Sequence, residues 1–293
     1  GMTTLEDDFV TNLYTASALD TFLFFTNRGR VFWRKVYELP MAGRTARGKA
    51  IVNLLELGEG EKVAAILPVA DLANADDNLS VLTVTKQGRV KKTFISEYKR
   101  PLRKGKFGLT IREDDEILSA AITSGDDEIF LVTRLGLSIH FHESDVRAMG
   151  RLAAGVKGIS LGEDDAVVGV AVLKSDDSIL TVTERGYGKR TAVAEYRLQT
   201  RGGKGVFTIK TSERNGYVIG VLPVVDEDQV MLVANSGKVI RTPRDTVRII
   251  GRNTQGVRLI NLEEDEIVVD LSMLAREEGV DDENSGEEEG YAD

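Results

Sequence analysis

Lysine and arginine recur at fixed positions along this chain, in a spacing that is typical of a surface that binds a polyanion. One series follows a glycine in several similar segments and consists of Arg30, Arg34, Lys35, Arg89, Lys91, Lys92, Lys189, Arg190, Lys238 and Arg241. A second series precedes another glycine by four or eight residues and consists of Arg44, Arg147, Arg151, Arg197, Arg201, Arg248 and Arg252. The same loops also carry Arg47, Lys49, Arg100, Arg103, Lys104 and Lys204. We predict that these side chains contact phosphate groups.

Regularly spaced cations suit a long polymer of phosphates better than they suit a small anion. Duplex DNA carries one charge per about 1.7 Å of its axis, and contacts to its phosphates need only lysine or arginine at a matching spacing. Two or three cations in each of five units would neutralise roughly ten phosphates, and such binding weakens strongly as salt rises. If the surface is curved, the duplex must also bend, which costs about 1–6 kcal/mol. We therefore expect double-stranded DNA as the partner, held mainly through its backbone.

The recurring cations have alternative interpretations at the level of sequence. Isolated surface lysines and arginines are usually only solvated, although solvation does not require the same positions in four or five copies. Alternatively, the arginines before the second glycine are structural and tie neighbouring units together through acidic turns, because structural ion pairs are common. A further alternative is a repeat protein that scaffolds other proteins. It predicts apolar or aromatic side chains on the outer surface and binding that is insensitive to salt.

No side chains are arranged in a pattern that indicates catalysis or metal binding. His140 and His142 alternate on a predicted strand, but a metal site needs further ligands at fixed geometry, so we expect them to replace the cations of the other units. The glycine-rich stretch 201–205 lacks the spacing and the following Ser or Thr of a Walker loop. Phe32 and Trp33 follow a predicted hairpin and are expected to pack. We expect no catalytic residue, no metal and no cofactor, and hence a binding module.

The elements that position these cations belong to a repeat of about fifty residues. Five apolar runs each lead to a turn glycine, and these glycines are separated by 59, 48, 50 and 51 residues: Gly29, Gly88, Gly136, Gly186 and Gly237. Another glycine follows nineteen residues later in four copies: Gly48, Gly155, Gly205 and Gly256. In the second copy, Gly105 and Gly108 bracket that spacing. A fixed period of this size indicates one supersecondary unit stacked repeatedly.

Each unit is predicted to contain four short strands. A β-rich segment such as 116–123 precedes the apolar run, a tight glycine hairpin follows it, and a fourth strand comes after the second glycine, as at 207–211 or 257–262. Four strands per unit, repeated radially, favour an all-β, propeller-like fold of four-stranded blades. The first type of strand occurs six times, including 9–15 and 266–274, whereas the hairpin occurs five times. The pattern therefore leaves five or six blades open.

Composition divides the chain into a neutral body and an acidic end. The 293 residues are 42% hydrophobic and have a net charge of −9, but residues 277–293 alone contain nine acids and no base. We predict a tag remnant and lead at 1–8, the binding domain at 9–276, and a disordered tail at 277–293. The chain has no cysteine, which fits a reducing cytoplasm. No apolar stretch approaches the roughly 18 residues of a membrane span.

Several longer stretches resemble the C-terminal domain of the gyrase A protein, the DNA-cleaving component of DNA gyrase: 27–31, 35–40, 46–55, 146–150, 186–196 and 251–257. The resemblance implies a β-pinwheel, a propeller variant in which neighbouring blades exchange strands, with duplex DNA wrapped around a basic rim. It also implies a monomeric domain of a bacterial, cytoplasmic, chromosome-associated enzyme that introduces negative supercoils. The partners would then be the rest of the gyrase A protein and the gyrase B protein, and the ATP, the magnesium and the cleaving tyrosine would belong to those parts.

The seven-residue box of this family, Gln-Arg-Arg-Gly-Gly-Lys-Gly, has an imperfect counterpart here. It consists of Gln199, Thr200, Arg201, Gly202, Gly203, Lys204 and Gly205, with threonine in place of one arginine. The resemblance usually places the box in the first blade, so we interpret this copy in the fourth repeat as a related one and expect the box itself upstream of this chain. The equivalent C-terminal domain of topoisomerase IV, which shares the pinwheel but typically lacks a well-kept box, is the nearest alternative. The density of matching motifs favours gyrase.

Overall fold

The computed structural model of the chain describes residues 14, 16–43, 48–173, 178–224, 229–243 and 247–274. Within these residues the fold is all-β, as predicted, with short 3-10 turns and no α-helix. The predicted strand 9–15 (apart from Tyr14), the cations Arg44 and Arg47, and the predicted tail 277–293 lie outside the described residues.

The strands form five antiparallel sheets, which we number as blades in chain order. Blade 1 contains β1 (Thr21–Thr26), β2 (Arg30–Lys35), β3 (Val63–Val69) and β6 (Lys106–Phe107). Blade 2 contains β4 (Ser80–Thr85), β5 (Arg89–Phe94), β7 (Ile117–Thr123) and β10 (Val156–Lys157). Blade 3 contains β8 (Glu128–Thr133), β9 (Leu137–His142), β11 (Val167–Leu173) and β14 (Val206–Phe207). Blade 4 contains β12 (Ser178–Thr183), β13 (Tyr187–Ala192), β15 (Val218–Val224) and β18 (Val257–Arg258). Blade 5 contains β16 (Gln229–Ala234), β17 (Val239–Pro243) and β19 (Val268–Leu274).

Blades 1 to 4 each take their outermost strand from the next unit of the repeat. The strand order in blade 1 is β3-β1-β2-β6, and that in blade 4 is β15-β12-β13-β18. Strands β6 and β18 therefore come from the loop that follows the hairpin of the next blade. This exchange of strands is the arrangement that the resemblance implied. Within the described residues, blade 5 has three strands, in the order β17-β16-β19.

The innermost strand of each blade follows its hairpin in the chain. We predicted a strand at 116–123 in the same unit as the apolar run that comes after it. The strand exists as β7, but it pairs with the preceding β4, in a register that runs from Ser80↔Thr123 to Thr85↔Ile117. The predicted unit boundary is therefore wrong by one strand. Apolar patterning identifies a strand but not its partner, because the hairpins before and after it lie equally near in sequence.

The outer strands are shorter than predicted. β14 and β18 contain two residues each, whereas the expected strands were 207–211 and 257–262. After two residue pairs the backbone turns inward: in blade 1 the N–H groups of Gly108 and Leu109 both donate to the carbonyl of Gly29, at 2.8 and 3.2 Å. The next apolar residue then packs between blades, as fully buried Ile209 does, and this inward turn ends the strand.

The glycine that begins each outer strand has a left-handed backbone. Its φ is +75°, +76° and +78° at Gly155, Gly205 and Gly256. In the irregular second copy Gly105 has φ +73° and directly precedes β6, so Gly105 rather than Gly108 is the counterpart. Glycine is required because L-residues rarely adopt this conformation.

The hydrophobic core lies between neighbouring blades. Strands β1, β4 and β12 are buried at every position, which explains their uninterrupted apolar sequences, because both of their faces are covered. One core cluster joins Leu23 and Trp33 of blade 1 to Val81 and Ile117 of blade 2. Face-to-face stacking of this kind leaves the outer edge of each blade as the surface that can meet a partner.

Candidate nucleic-acid interface

A loop from each unit lies along the outer edge of the preceding blade. The N–H of Met149 donates to the carbonyl of Lys92 in β5 at 2.8 Å, and the N–H of Ile250 donates to the carbonyl of Arg190 in β13 at 2.9 Å. Each loop then passes the second glycine and enters the outer strand. Four stretches take this path, and we call them the rim segments: 100–107, 147–157, 197–207 and 248–258.

The rim segments together contain thirteen lysines and arginines and no aspartate or glutamate. Eight of these cations are exposed and have no acidic partner among the described residues: Arg100, Lys104, Arg147, Lys157, Arg197, Lys204, Arg248 and Arg258. Arg103 is also exposed but pairs with Glu56 at 2.9 Å. The structure thus brings most of the loop cations together as a series of positive stretches along the outer edges of blades 1 to 4.

Two of these exposed cations were missed from the sequence. Lys157 and Arg258 both stand two residues after a second glycine, as the last residues of β10 and β18. The signal was available, because both follow Gly155 and Gly256 by the same interval. It was overlooked because the other two outer strands have phenylalanine there.

The acidic turns lie at the hairpin turns of their own blades. A carboxylate oxygen of Asp115 accepts the N–H of Gln87, and one of Asp165 accepts the N–H of Leu135, each at 3.0 Å. These acids are therefore used inside each blade to fix the backbone of the tight turn. The segregation of charge predicted within each repeat is present in three dimensions.

The arginines four residues before the second glycine make one repeated backbone contact. Nη1 of Arg151 donates to the carbonyl of Phe107 at 3.1 Å, and Nη1 of Arg201 donates to that of Lys157 at 2.9 Å. Arg252 makes the same bond to Phe207 at 3.1 Å. These arginines tie each rim segment to the outer strand before it, as the structural alternative predicted. Their shared acceptor is a backbone carbonyl rather than an acidic turn.

Two predicted contacts in the hairpins lie in the interior. Nζ of Lys91 donates to the carbonyls of Gly108 and Arg151 at 2.6 and 3.0 Å. Nζ of Lys189 makes the matching bonds to Gly251, at 2.7 Å, and to Arg252. Loss of water around each ammonium, and the nearby Arg151 or Arg252, lower the pKa of both lysines to about 8. A surface role for these two lysines is wrong in this conformation, because their ammonium groups are enclosed by backbone carbonyls.

Lys92 and Arg190, one position further along the hairpins, are also buried. Nζ of Lys92 lies 3.2 Å from a carboxylate oxygen of Glu143, whose side chain is fully buried. Burial alone would raise the pKa of Glu143. The N–H groups of the turn at residues 125–127, together with Lys92, outweigh burial and hold that pKa below its ordinary value. Arg190 donates to Ser178 Oγ at 3.1 Å. Neither cation is presented to the outer surface.

The remaining hairpin cations are partly exposed and bonded within the fold. Arg30 pairs with Glu61 at 2.8 Å and stacks over Phe32. The contacts of the rest are as follows: Arg34 donates to the carbonyls of Trp33 and Leu54, Lys35 to that of Leu19, Arg89 to those of Ala154 and Gly155, Lys238 to that of Asn261, and Arg241 to the side chain of Gln229. Lys49 is exposed. Phe32 and Trp33 are packed, as predicted.

The box-like residues 199–205 form a rim segment whose shape follows from its contacts. The N–H of Gly202 donates to the carbonyl of Gly158 at 2.6 Å, and the N–H of Ser160 donates to that of Gly203 at 2.8 Å. A Cβ on Gly205 would stand 2.1 Å from the carbonyl oxygen of Ser138. Lys204 and Thr200 remain exposed. The glycines thus let this segment interlock with the preceding one while the side chain of Lys204 faces solvent.

The two histidines each pair with an acid of their own hairpin. Nε2 of buried His140 lies 2.7 Å from Glu128, and Nε2 of His142 lies 3.1 Å from Asp126. Over the residues that the structure describes, no cluster of three or more potential metal ligands is found. Among those same residues, no helix has the length and hydropathy that crossing a membrane requires.

Strand exchange between blades and an acid-free basic rim define a class of protein, the strand-exchanged β-propellers. The family model described as "DNA gyrase C-terminal domain, beta-propeller" matches residues 20–70, 80–124, 127–174, 177–224 and 228–274. The chain belongs to this family. Each match covers one hairpin together with the innermost strand that follows it, which is the blade boundary seen in the structure.

Named relatives agree with this assignment. The chain is 46% identical to the DNA gyrase A protein of Klebsiella oxytoca over 278 residues and 48% identical to that of Clostridium acetobutylicum over 286 residues, which is 95% and 98% of this chain. It spans about a third of the length of these relatives, 31% and 34%.

Solved structures share the fold. A structure of the DNA gyrase A C-terminal domain is similar with a TM-score of 0.79 and 23% identity, over 94% of this chain and 93% of that one. The C-terminal domain of DNA topoisomerase IV is similar with a TM-score of 0.77 and 29% identity, over 88% of this chain and 80% of that one.

Proposed function

We propose that this chain binds duplex DNA along its rim segments and wraps it, as the C-terminal domain of a bacterial DNA gyrase A protein. The observation that carries the proposal is the separation of charge on the rim, where thirteen cations occur with no acid. Acids elsewhere in each repeat are engaged in turns, so the positive stretches are not neutralised from within. A polymer of phosphates that passes from blade to blade is the partner that complements this arrangement.

The distribution of the cations fits binding through the DNA backbone. Their ammonium and guanidinium groups stand on loops fixed to the outer edge of the blades, and side chains of this kind recognise phosphate without reading bases. DNA that follows these outer edges must bend, and histone-like wrapping shows that many backbone contacts can support such a bend.

The wider role that we propose follows the names of the relatives. The domain would position DNA for the ATP-dependent negative supercoiling carried out by the holoenzyme in the bacterial cytoplasm, with the rest of the gyrase A protein and the gyrase B protein as partners. ATP, magnesium and the DNA-cleaving residue would be supplied by those parts. We propose that the domain is itself non-catalytic and monomeric.

A second candidate is the equivalent domain of topoisomerase IV, and the similarity to that solved structure favours it. The scaffolding alternative gains one observation, because apolar side chains are exposed on the rim, for example Leu152 and Phe207. A surface for proteins does not require thirteen cations without an acid, however, and DNA accounts for both features.

Two measurements test the proposal. Fluorescence anisotropy of a labelled duplex over a salt series should show binding that weakens steeply; no binding, or a flat salt response, would contradict a nucleic-acid function. Nicked circles ligated in the presence of the protein should then show a changed linking number. Tight binding with an unchanged linking number would mean that the chain binds DNA without wrapping it.

A further inference from the structure

Large apolar side chains are exposed on every rim segment, between the cations. The exposed fractions are 55% for Leu102 and Phe107, 69% for Leu152 and 50% for Phe207. The other members of this set are Leu198, Ile249 and Val257. Single exposed apolar residues are ordinary on protein surfaces. Here they occupy the acid-free segments that face the proposed partner.

The positions of these side chains recur relative to the second glycine. Leu102 and Leu152 both stand three residues before it, and Phe107 and Phe207 both stand two residues after it. The fold does not require apolar residues at either position, since other rim segments have Gly202, Asn253, Lys157 and Arg258 there. Binding of phosphates does not require them either. Their recurrence therefore needs a separate explanation.

The backbone beneath these side chains is held firmly. The carbonyl of Leu152 accepts the hydroxyl of Thr110 at 2.6 Å, and that of Phe107 accepts Nη1 of Arg151 at 3.1 Å. Phe207 is held in the same way by Arg252, and the carbonyl of Leu102 accepts the N–H of Gly105 at 2.9 Å. Apolar groups on a fixed backbone lose little further freedom when they bind, which favours binding.

We propose that Leu102, Phe107, Leu152 and Phe207 enter the minor groove of the wrapped duplex and wedge against base steps, so that the bend is concentrated at these points. This inference rests on the proposed function. Apolar wedges that partly unstack a base step bend DNA away from the minor groove in many architectural proteins. The neighbouring exposed cations, such as Lys104 beside Leu102, hold the phosphates that flank each wedge.

Concentrated bending has a consequence for sequence preference. Pyrimidine–purine steps unstack more easily than other steps. The rim should therefore prefer duplexes that carry such steps at the spacing of the wedges, although it makes no hydrogen bond to a base.

The test compares two double variants with a matched control. Leu102→Ala/Leu152→Ala and Phe107→Ala/Phe207→Ala remove the wedges, whereas Leu19→Ala removes an apolar side chain that is 70% exposed but lies outside the rim segments. Energy transfer between dyes at the two ends of a duplex reports the bend, and anisotropy over a salt series reports affinity and its salt slope. Each double variant should lower the energy transfer and weaken binding about tenfold, given the usual value of burying apolar side chains. The salt slope and the Leu19→Ala control should not change.

The outcomes separate this inference from the proposed function. Unchanged energy transfer in both double variants overturns the wedges, and so does a weaker salt slope, because the residues would then act through the cations. Leu152→Met keeps an apolar side chain and should bend DNA as the unmodified chain does. If the unmodified chain neither binds nor bends DNA, the proposed function itself fails. Thermal melting of every variant checks that the fold is intact.

Discussion

The exposed and the buried cations should respond in opposite ways to substitution, and a single pair of variants tests this. Arg147→Gln removes an exposed rim cation, whereas Lys91→Ile removes one whose Nζ is bonded to two carbonyls. Isoleucine fits this position, because Ile139 occupies it in blade 3 and is fully buried.

The magnitude follows from the number of available cations. Eight exposed rim cations without an acidic partner predict a slope of about −7 in a plot of log affinity against log salt, since each phosphate contact contributes about −0.9. Affinity should therefore fall roughly 10⁴-fold between 50 and 200 mM salt. Arg147→Gln should make the slope shallower by about 0.9 and leave the melting temperature unchanged.

Lys91→Ile should show the reverse pattern. The salt slope should not change, but two buried carbonyls lose a donor, which costs about 1–3 kcal/mol of folding stability. Anisotropy over a salt series and urea unfolding measure the two quantities. An equal slope in Arg147→Gln and the unmodified chain, or a slope shallower by about one unit in Lys91→Ile, would refute the division of the cations into rim and interior sets.

Three further predictions concern stability. Lys92→Met leaves the carboxylate of Glu143 buried and unpaired and should cost about 3–5 kcal/mol in urea unfolding, whereas the double variant with Glu143→Val should recover most of the loss; a cost below about 1 kcal/mol would contradict the buried pair. The pKa of Lys189 is lowered to about 8 from 10.5, so between these pH values the unfolded chain binds more protons and stability should rise with pH. Replacing Lys189 by isoleucine should flatten this rise in melting temperature between pH 8 and 9.5, and an unaltered rise would assign it to other groups. Gly205→Ala places a Cβ 2.1 Å from a carbonyl oxygen at φ +76° and should cost at least about 1–3 kcal/mol, while Gly203→Ala, whose nearest contact is 3.7 Å away, should cost less than about 1 kcal/mol; equal losses would argue against the close approach.

The strands and hairpins of this protein were predictable from sequence because their signals are local. Strands β1 and β12 appear as apolar runs since both of their faces are buried, and Gly29 and Gly186 mark turns that need a positive φ. The pairing of β7 with β4 was not predictable, because it depends on which neighbour the strand meets in space.

The cations show the same division between local and tertiary information. Recurrence identified the positions, and six of the eight exposed rim cations without an acidic partner were among those predicted. Recurrence could not separate Arg147 from Lys91, since both are basic residues at repeated positions. Their environments differ because the loop of the following unit encloses Lys91 and leaves Arg147 outside.

The sequence by itself determined the repeat, the all-β class and the family, because period, turn glycines and apolar runs are properties of neighbouring residues. Only the tertiary structure decided which cations can meet a partner. Strand exchange lays each rim segment over the hairpin of the preceding blade. The same crossing buries Lys91 and Lys189 beneath backbone carbonyls and uses Arg151, Arg201 and Arg252 as ties. Exposure is a property of the assembled blades, and no single repeat contains the residues that set it.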